Sequence, residues 1–250
     1  MMDALASRLN LWLRERPDRV LWGLGALCAA FILAAVFAYL KSRRSQAARA
    51  EELQLAGLAP AELPPPLAEK LRWLHGTGRS SLAFRNVHRM ARADGELYVL
   101  DLWDTGGDSS SMTVQGLVVI VSRKLALPRI HVMPRIESLG WLGKLLGPLF
   151  SRLVAWGAGR QGLSRVSFPD DPHLDEALMV VSNDAGRTRA FLGASRGLWL
   201  LQLPAPLQWE GEGDMLCVRR WDWLRSGTVQ SQPVSAALEN ASALYSILTR

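Results

Sequence analysis

Cysteine is almost missing from this chain: Cys28 and Cys217 are the only two, far apart in sequence. Neither belongs to a CxxC pair or has a histidine close by, so a disulfide framework, a zinc ribbon and a thiol nucleophile all lack their signatures. Each reads as a small buried hydrophobe, and their scarcity fits a reducing compartment. Histidine is nearly as rare. His75, His88, His131 and His173 stand alone, with no two within five residues, which excludes HExxH-type metal spacing. His88 and His131 fall in strand-like runs and read as sheet-face or satisfied core histidines. Phosphate-cradling glycines are absent too. Gly106-Gly107 is followed by no Lys and helix, GAGRQG at 157–162 follows no strand, and no GxSxG elbow occurs. P-loop, Rossmann, kinase and serine-hydrolase chemistry are thereby excluded at the motif level.

Carboxylates do gather, but without a ligand pattern. Asp101, Asp104 and Asp108 precede Ser109-Ser110-Ser111; an EF-hand needs a fixed twelve-residue pattern closed by Glu, so this group reads as a solvated loop. Asp170, Asp171, Asp175 and Glu176 lie in FPDDPHLDEAL. The flanking prolines make a rigid turn there, with Asp170 or Asp171 capping a short helix. No catalytic, cofactor-binding or metal-ligating residue is assigned from the sequence, and no cofactor is expected.

What is present is apolar and basic. The 250 residues are 49% hydrophobic and 21% charged, with a net charge of +6 and a mean hydropathy of +0.07. Disorder is excluded, and the chain can bury a full core. The hydropathy is too low for a polytopic membrane protein and high for an ordinary soluble one. A concentrated apolar segment joined to a normal domain explains both. The basic residues flank that segment: Arg14, Arg16 and Arg19 before it, Lys41, Arg43, Arg44 and Arg49 after it. Such placement suits anionic lipid headgroups. No RNP strand, zinc finger or long basic stripe points to nucleic acid.

Residues 20–40, VLWGLGALCAAFILAAVFAYL, carry no charge. As a helix they would extend about 31 Å, the thickness of a bilayer core. Trp22 and Tyr39 sit near the two ends, where amphipathic rings prefer the interface. A cleavable signal peptide would be shorter, and although Ala48 and Ala50 mimic a cleavage site, Lys41-Ser42-Arg43-Arg44 follows the run directly. An uncleaved single-pass anchor in a bacterial inner membrane is expected. Residues 1–19 form an amphipathic tail, with Leu5, Leu9, Trp12 and Leu13 on one side and Pro17 ending it. It would lie in the headgroup plane or against another subunit. Basic residues divide four against four across the anchor. The tail holds Asp3, Glu15 and Asp18, whereas the C-terminal flank has no acid before Glu51; this and the lack of disulfides favour a cytoplasmic main domain, with a periplasmic one as the alternative.

Beyond the anchor, residues 41–66 read as a charged helix followed by a stiff break at PAELPPP, and 67–250 as one α+β domain. Strand signals at 82–91 and 96–104 flank Asp94-Gly95, a strong hairpin turn. The second arm is apolar on both faces, as if covered on both sides. Further strands are expected at 113–122, 129–133 and 178–181, with a second hairpin from 208–212 and 215–221. Helices are expected at 187–192, 196–203 and 235–248. Strands arriving in hairpins, with helices appended, predict a mainly antiparallel sheet. One stretch stands apart: Leu139–Gly157, where Trp141 and Trp156 bracket an apolar face containing Leu146 and Phe150. It is expected either to pack on the sheet as a core helix or to meet the membrane or a partner.

The order of these features resembles an uncharacterised bacterial family of membrane-anchored domains. The similarity rests on an N-terminal anchor, the strand Leu127-Pro128-Arg129-Ile130-His131-Val132-Met133-Pro134, the turn Phe168-Pro169-Asp170-Asp171-Pro172, and Trp209-Glu210 entering a late hairpin. It spans about residues 80–250 and implies no catalytic residue; relatives carry two anchors where one is present here. The leading expectation is a single-span, non-enzymatic interaction or accessory subunit of a membrane complex. It would contact the bilayer and an integral-membrane or membrane-associated partner through Trp12, Trp22, Tyr39, Trp141, Leu146, Phe150 and Trp156. The alternatives are a membrane-bound enzyme, in which His88 or His131 would meet Asp101 or Asp104 in a cleft, and a lipid or envelope-ligand sensor with an apolar cavity under 139–157.

Overall fold

A computed structural model describes residues 30–34, 36–37, 40, 43–44, 47–75, 82–105, 111–135, 158–159, 161–203, 207–220 and 233–250. The chain divides into two compact units, Met1–Glu51 and Glu52–Arg250. Trp12, Trp22, Tyr39, Trp141, Leu146, Phe150 and Trp156, with the whole of the 139–157 stretch, lie outside the described residues. In the first unit, residues 30–34, 36–37, 40, 43–44 and 47–50 are helical. Among the described residues no helix is long and apolar enough to cross a membrane.

The second unit is α+β, built on a large antiparallel sheet. Its strands are β1 (Ala59–Pro60), β2 (Leu82–Arg92), β3 (Gly95–Asp104), β4 (Ser111–Ser122), β5 (Leu127–Pro134), β6 (Ser164–Val166), β7 (Leu178–Ser182), β8 (Leu207–Gly213) and β9 (Met215–Arg220). Its helices are α1 (Pro65–His75), α2 (Pro172–Ala177), α3 (Ala185–Leu192), α4 (Ala194–Leu201) and α5 (Val234–Leu248). The strand order is β1-β2-β3-β4-β9-β8-β5-β7-β6. The late β8–β9 hairpin therefore lies at the centre of the sheet, joining the β1–β4 meander to β5–β7.

Local chemistry explains most elements. Asp171 accepts from Leu174 N–H to cap α2, and Asp184 accepts from Arg187 N–H to cap α3. Pro65 and Pro66 open α1, where a missing amide hydrogen and a fixed φ cost nothing. Just before them, Ala59–Pro60 forms a two-residue edge strand on Arg89 and His88. The prolines of β5, expected just outside a shorter strand, are its second and last residues. Pro128 falls where the register against β8 shifts between Leu127 and Ile130, the irregular position a proline tolerates.

Both faces of the sheet are covered, as the two apolar faces of β3 predict. Leu97 and Val99 join one core with Trp209, Ala241 and Leu244, while Tyr98, Leu100 and Leu102 join another with Leu67, Leu71 and Leu74 of α1. The first core contains a complete cross-strand row: Val99, Val118, Val218, Trp209, Val132, Val180 and Val166, each paired with the next. β-Branched side chains fill this pleated surface, and each buried aliphatic side chain contributes about 1.5–3 kcal/mol. At the β2–β3 turn, Tyr245 of α5 bonds to Ser122 Oγ at 2.8 Å and donates to Asp94.

Arginine and tryptophan are used together. The guanidinium groups of Arg85, Arg129 and Arg250 lie over Trp103, Trp73 and Trp199 at 5.0, 4.6 and 5.2 Å from the ring centroids. Such contacts contribute about 0.5–1 kcal/mol each where exposed.

Candidate functional site

The neighbouring cross-strand row, on the opposite face, has a different character. It runs Tyr98, Val119, Cys217, Glu210, His131 and Val181, each side chain paired with the next across the ladder. Apolar residues occupy both ends, but a carboxylate and an imidazole stand side by side at the middle. Helix α1 crosses this face, and its last residue, His75, places Nδ1 at 2.7 Å from Glu210 Oε1. His131 Nε2 meets the other oxygen, Oε2. Glu210 therefore receives one imidazole on each oxygen.

All three groups are withdrawn from water. The side chains of Glu210, His75 and His131 are 2%, 6% and 21% exposed. Burial alone would raise the Glu210 pKa, but the imidazoles of His75 and His131, with the Arg219 guanidinium, outweigh it and hold the carboxyl down to about 2. An ionised carboxylate only accepts hydrogen bonds, so the two facing nitrogens carry protons. His75 is thus an Nδ1–H donor and His131 an Nε2–H donor. Burial also pushes the His131 imidazole below its ordinary value. Glu210 opposes that shift, while positive charge at His75, Arg219 and Arg129 reinforces it. Cys217, directly across from Glu210, has its thiol pushed well up by burial and by that carboxylate. It is an inert, protonated thiol, as the sequence reading expects.

The cluster lies between the α1 core, through Cys217, and a small core made by Met133, Ala158, Leu163, Met179 and Val181. Among the described residues, buried His75 Nε2, Arg129 Nε and Arg219 Nε find no hydrogen-bond partner. Among the described residues no group of three or more His, Cys, Asp or Glu is arranged to hold a metal ion. The nitrogens that would face a cation are the ones donating to Glu210. An open cleft of about 310 Å³ lies beside Arg129, Asp184, Arg187 and Glu212. Its two carboxylates balance its two guanidinium groups. Asp184 is already committed to capping α3, and Arg187 reaches the Ala126 carbonyl at 3.4 Å.

His88 and Asp101 occupy structural roles. The enzyme reading places His88 or His131 beside Asp101 or Asp104; His131 pairs with Glu210, Asp101 accepts from Asn86 and Gly116, and the Asp104 side chain lies outside the described residues. His88 Nδ1–H donates to the Asn86 carbonyl at 3.0 Å. Asp101, read from sequence as part of a solvated loop, is instead only 2% exposed. The ladder explains why. Register shifts fall at Arg85/His88 on one side of β3 and at Leu100/Leu102 on the other. The Asp101 carboxylate spans both irregularities, accepting from Asn86 Nδ2 at 2.7 Å and from Gly116 N–H at 2.9 Å. Asn86 and Gly116 have φ values of 52° and 67°. Asp101→Ala removes a buried acceptor shared by two donors and is expected to lower unfolding stability by about 1 kcal/mol or more in urea denaturation. Asp101→Asn, which keeps one acceptor, should lose less.

His75 and Glu210 escape a reading of the sequence for a physical reason. Gln208, Glu210 and Glu212 alternate with Trp209 and Gly211, the pattern of a strand with a wet face. The docking of α1 on that face brings His75 onto Glu210. The pairing of Glu210 with Cys217 follows from the hairpin turn, but adjacency to His131 needs the β5–β8 pairing between strands 79 residues apart. With this geometry in view, no family model, no curated protein and no solved structure matches the chain.

Proposed function

We propose that the chain is a single-span, membrane-anchored, non-enzymatic subunit whose α+β domain binds another protein of a membrane complex. The observation that carries the anchoring is the surface of residues 31–40. Phe31, Ile32, Leu33, Val36, Phe37 and Leu40 are helical and 49–75% exposed. Consecutive residues on a helix point about 100° apart, so Phe31, Ile32 and Leu33 present apolar surface in three directions. A globular surface does not keep such a patch in water, and lipid is the simplest cover. The basic residues on both flanks and the charge-free run of residues 20–40 support the same reading.

Non-enzymatic function is supported by the pairing inside the polar cluster: its carboxylate is 2% exposed and accepts from both imidazoles. The main domain is assigned to the cytoplasmic side of a bacterial inner membrane. A second reading, a membrane-bound enzyme, draws on one arrangement. Glu210 orients His75 through Nδ1 and leaves Nε2 without a partner, the relation a carboxylate has to a general-base histidine. That reading requires an opening through which substrate would reach a buried nitrogen.

Alkaline carbonate extraction of membranes tests the anchor. The native chain should remain in the pellet. Ile32→Arg with Phe37→Arg should move it to the supernatant, since each charge costs about 3 kcal/mol near a bilayer centre. A native chain found in the supernatant would overturn the anchor. Crosslinking in cells, detergent extraction and mass spectrometry of the tagged full chain tests the partner. A near-stoichiometric membrane protein is expected, and its absence would remove the accessory-subunit reading.

A further inference from the structure

We propose that the exposed face of α4, centred on Leu198 and Trp199, docks on an anionic lipid surface, with the arginines around it pairing with headgroup phosphates. The proposal rests on the membrane-anchored reading, because an anchor keeps the α+β unit beside a bilayer and lets a small, weak surface engage.

Helix α4 is apolar on both sides, whereas a surface helix of a soluble domain keeps its outer face polar. Leu200 faces inward and joins the core of Trp209 and Leu244. Gly197 lies so close to α2 that a Cβ there would be 3.1 Å from Leu174 Cδ2. Ser195, Leu198, Trp199 and Gln202 face outward, at the i, i+3, i+4, i+7 spacing of one helical face. Leu198 is 53% exposed and Trp199 46%. Among the described large apolar side chains of the second unit, Leu55 and Trp73 are also exposed, but these lie on two different helices.

The charge around that face is mainly positive. Helix α3 contributes Arg187 and Arg189, both exposed, and α4 contributes Arg196 and no acid. The Arg250 guanidinium lies over the Trp199 ring at 5.2 Å. Arg196 stacks on Phe191 at 4.7 Å and donates to the Phe191 carbonyl at 2.7 Å, which holds it at the α3–α4 corner. The helices packed against α4 carry acids, but most are engaged. Asp171 and Asp184 accept from backbone amides as caps, and Asp175 accepts from Arg135 and Arg165. Glu176 of α2 and Glu239 of α5 remain, the latter three turns before Arg250, about 16 Å away along the axis. A guanidinium forks onto a phosphate, and a tryptophan ring beside an arginine stem suits the boundary between headgroups and acyl chains. Size separates lipid from protein as the occupant. An eight-residue helix is about 12 Å long, too short to bury the roughly 800 Å² per partner of a stable protein interface.

Hydrogen–deuterium exchange of the full chain in lipid nanodiscs tests the docking. Discs of phosphatidylcholine alone are compared with discs in which about one-third is phosphatidylglycerol. Amides of residues 194–203 should exchange at least about threefold more slowly in the anionic discs, since docking raises the free energy of local opening. Salt at about 1 M, where charges act only within about 3 Å, should remove the difference. Amides of β4 should exchange equally in both. Leu198→Glu with Trp199→Glu should abolish the slowing, and Arg189→Gln with Arg250→Gln, which alters only exposed side chains, should reduce it. A native chain that does not stay with the discs overturns the anchor and the docking together. A chain that stays, with α4 exchange equal in the two discs or with the native slowing kept in both variants, overturns the docking alone. Slowing that appears in lipid-free detergent as chain concentration rises would assign the face to a second copy and overturn it as well.

Discussion

Glu210→Ala is expected to destabilise the α+β unit by about 3–5 kcal/mol, the cost of removing one partner from a buried charged cluster. In thermal unfolding this corresponds to a fall of roughly 10 °C for a domain of this size. The loss arises because His75 Nδ1–H and His131 Nε2–H would remain buried without their shared acceptor, and Arg219 without the neighbouring negative charge. Glu210→Gln should fall between the native chain and the alanine variant: it preserves volume and one acceptor but points an amide donor at one imidazole. The pH dependence provides a second check. Glu210 has a folded pKa of about 2, below its reference value of 4.5. Its contribution is therefore complete above that reference and is lost as pH falls toward about 2. His131, also lowered from its reference of 6.5, contributes stability above that value that declines below it. Native stability should consequently fall in two stages on acidification; Glu210→Ala should remove the lower stage and, by removing the carboxylate that opposes the His131 shift, deepen the upper one. A loss below about 1 kcal/mol with an unchanged pH profile would show that the cluster is not the desolvated charge network described here.

Local pairing was legible in the sequence, whereas long-range pairing was not. The Asp94-Gly95 turn, the alternating apolar faces of β3 and the amphipathic spacing of α5 each express chemistry within about fifteen residues, and the structure contains all three elements. The same holds for the late hairpin and for the capping by Asp171. Sheet order is another matter. Nothing in LQWEGEG indicates that β8 will pair with a strand near residue 130, because an antiparallel strand with one apolar face fits many neighbours equally well. That choice is made by the whole core, and it creates the site by bringing His131 to Glu210. Asp101 shows the reverse error. Its position near Gly106-Gly107 and three serines favours a wet loop, but two bulges require a buried acceptor between them, and sequence periodicity does not register a bulge. The prolines of PAELPPP illustrate a third limit. The residues that stiffen an extended segment also suit the first turn of a helix, and the packing of Leu67 and Leu71 decides between them at Pro65.

The largest effect of a single added methyl group is expected at Gly95, in the turn that the sequence marks most clearly. There φ is +158°, and a Cβ would fall 1.9 Å from the Val121 carbonyl oxygen and 2.9 Å from Ser122 Cα. Both obstacles are backbone atoms of β4, paired with this end of β3 through Gly95 and Ser122, so no side-chain rotation can clear the space. Nor can the turn move away freely: Arg123 N–H donates to the Asp94 carbonyl, and Tyr245 binds Asp94 from α5. Gly95→Ala must therefore separate β3 from β4 or distort the turn, at a cost of about 3 kcal/mol or more. Gly211 is also close-packed, but its nearest obstacle is Leu127 Cδ1, at 2.4 Å, the end of a side chain that can rotate; the Met215 carbonyl lies farther away at 2.8 Å. Gly213, in the same hairpin, has φ +60° and no atom within 4 Å, so alanine there costs only the left-handed conformation, about 1–2 kcal/mol. Chemical denaturation of the three alanine variants should therefore rank them Gly95 first, Gly211 second and Gly213 last. If Gly95→Ala were no more harmful than Gly213→Ala, the close approach of β3 and β4 at this turn would be wrong. Agreement with the ranking would identify Gly95 as a glycine required for strand contact, not only for turn conformation.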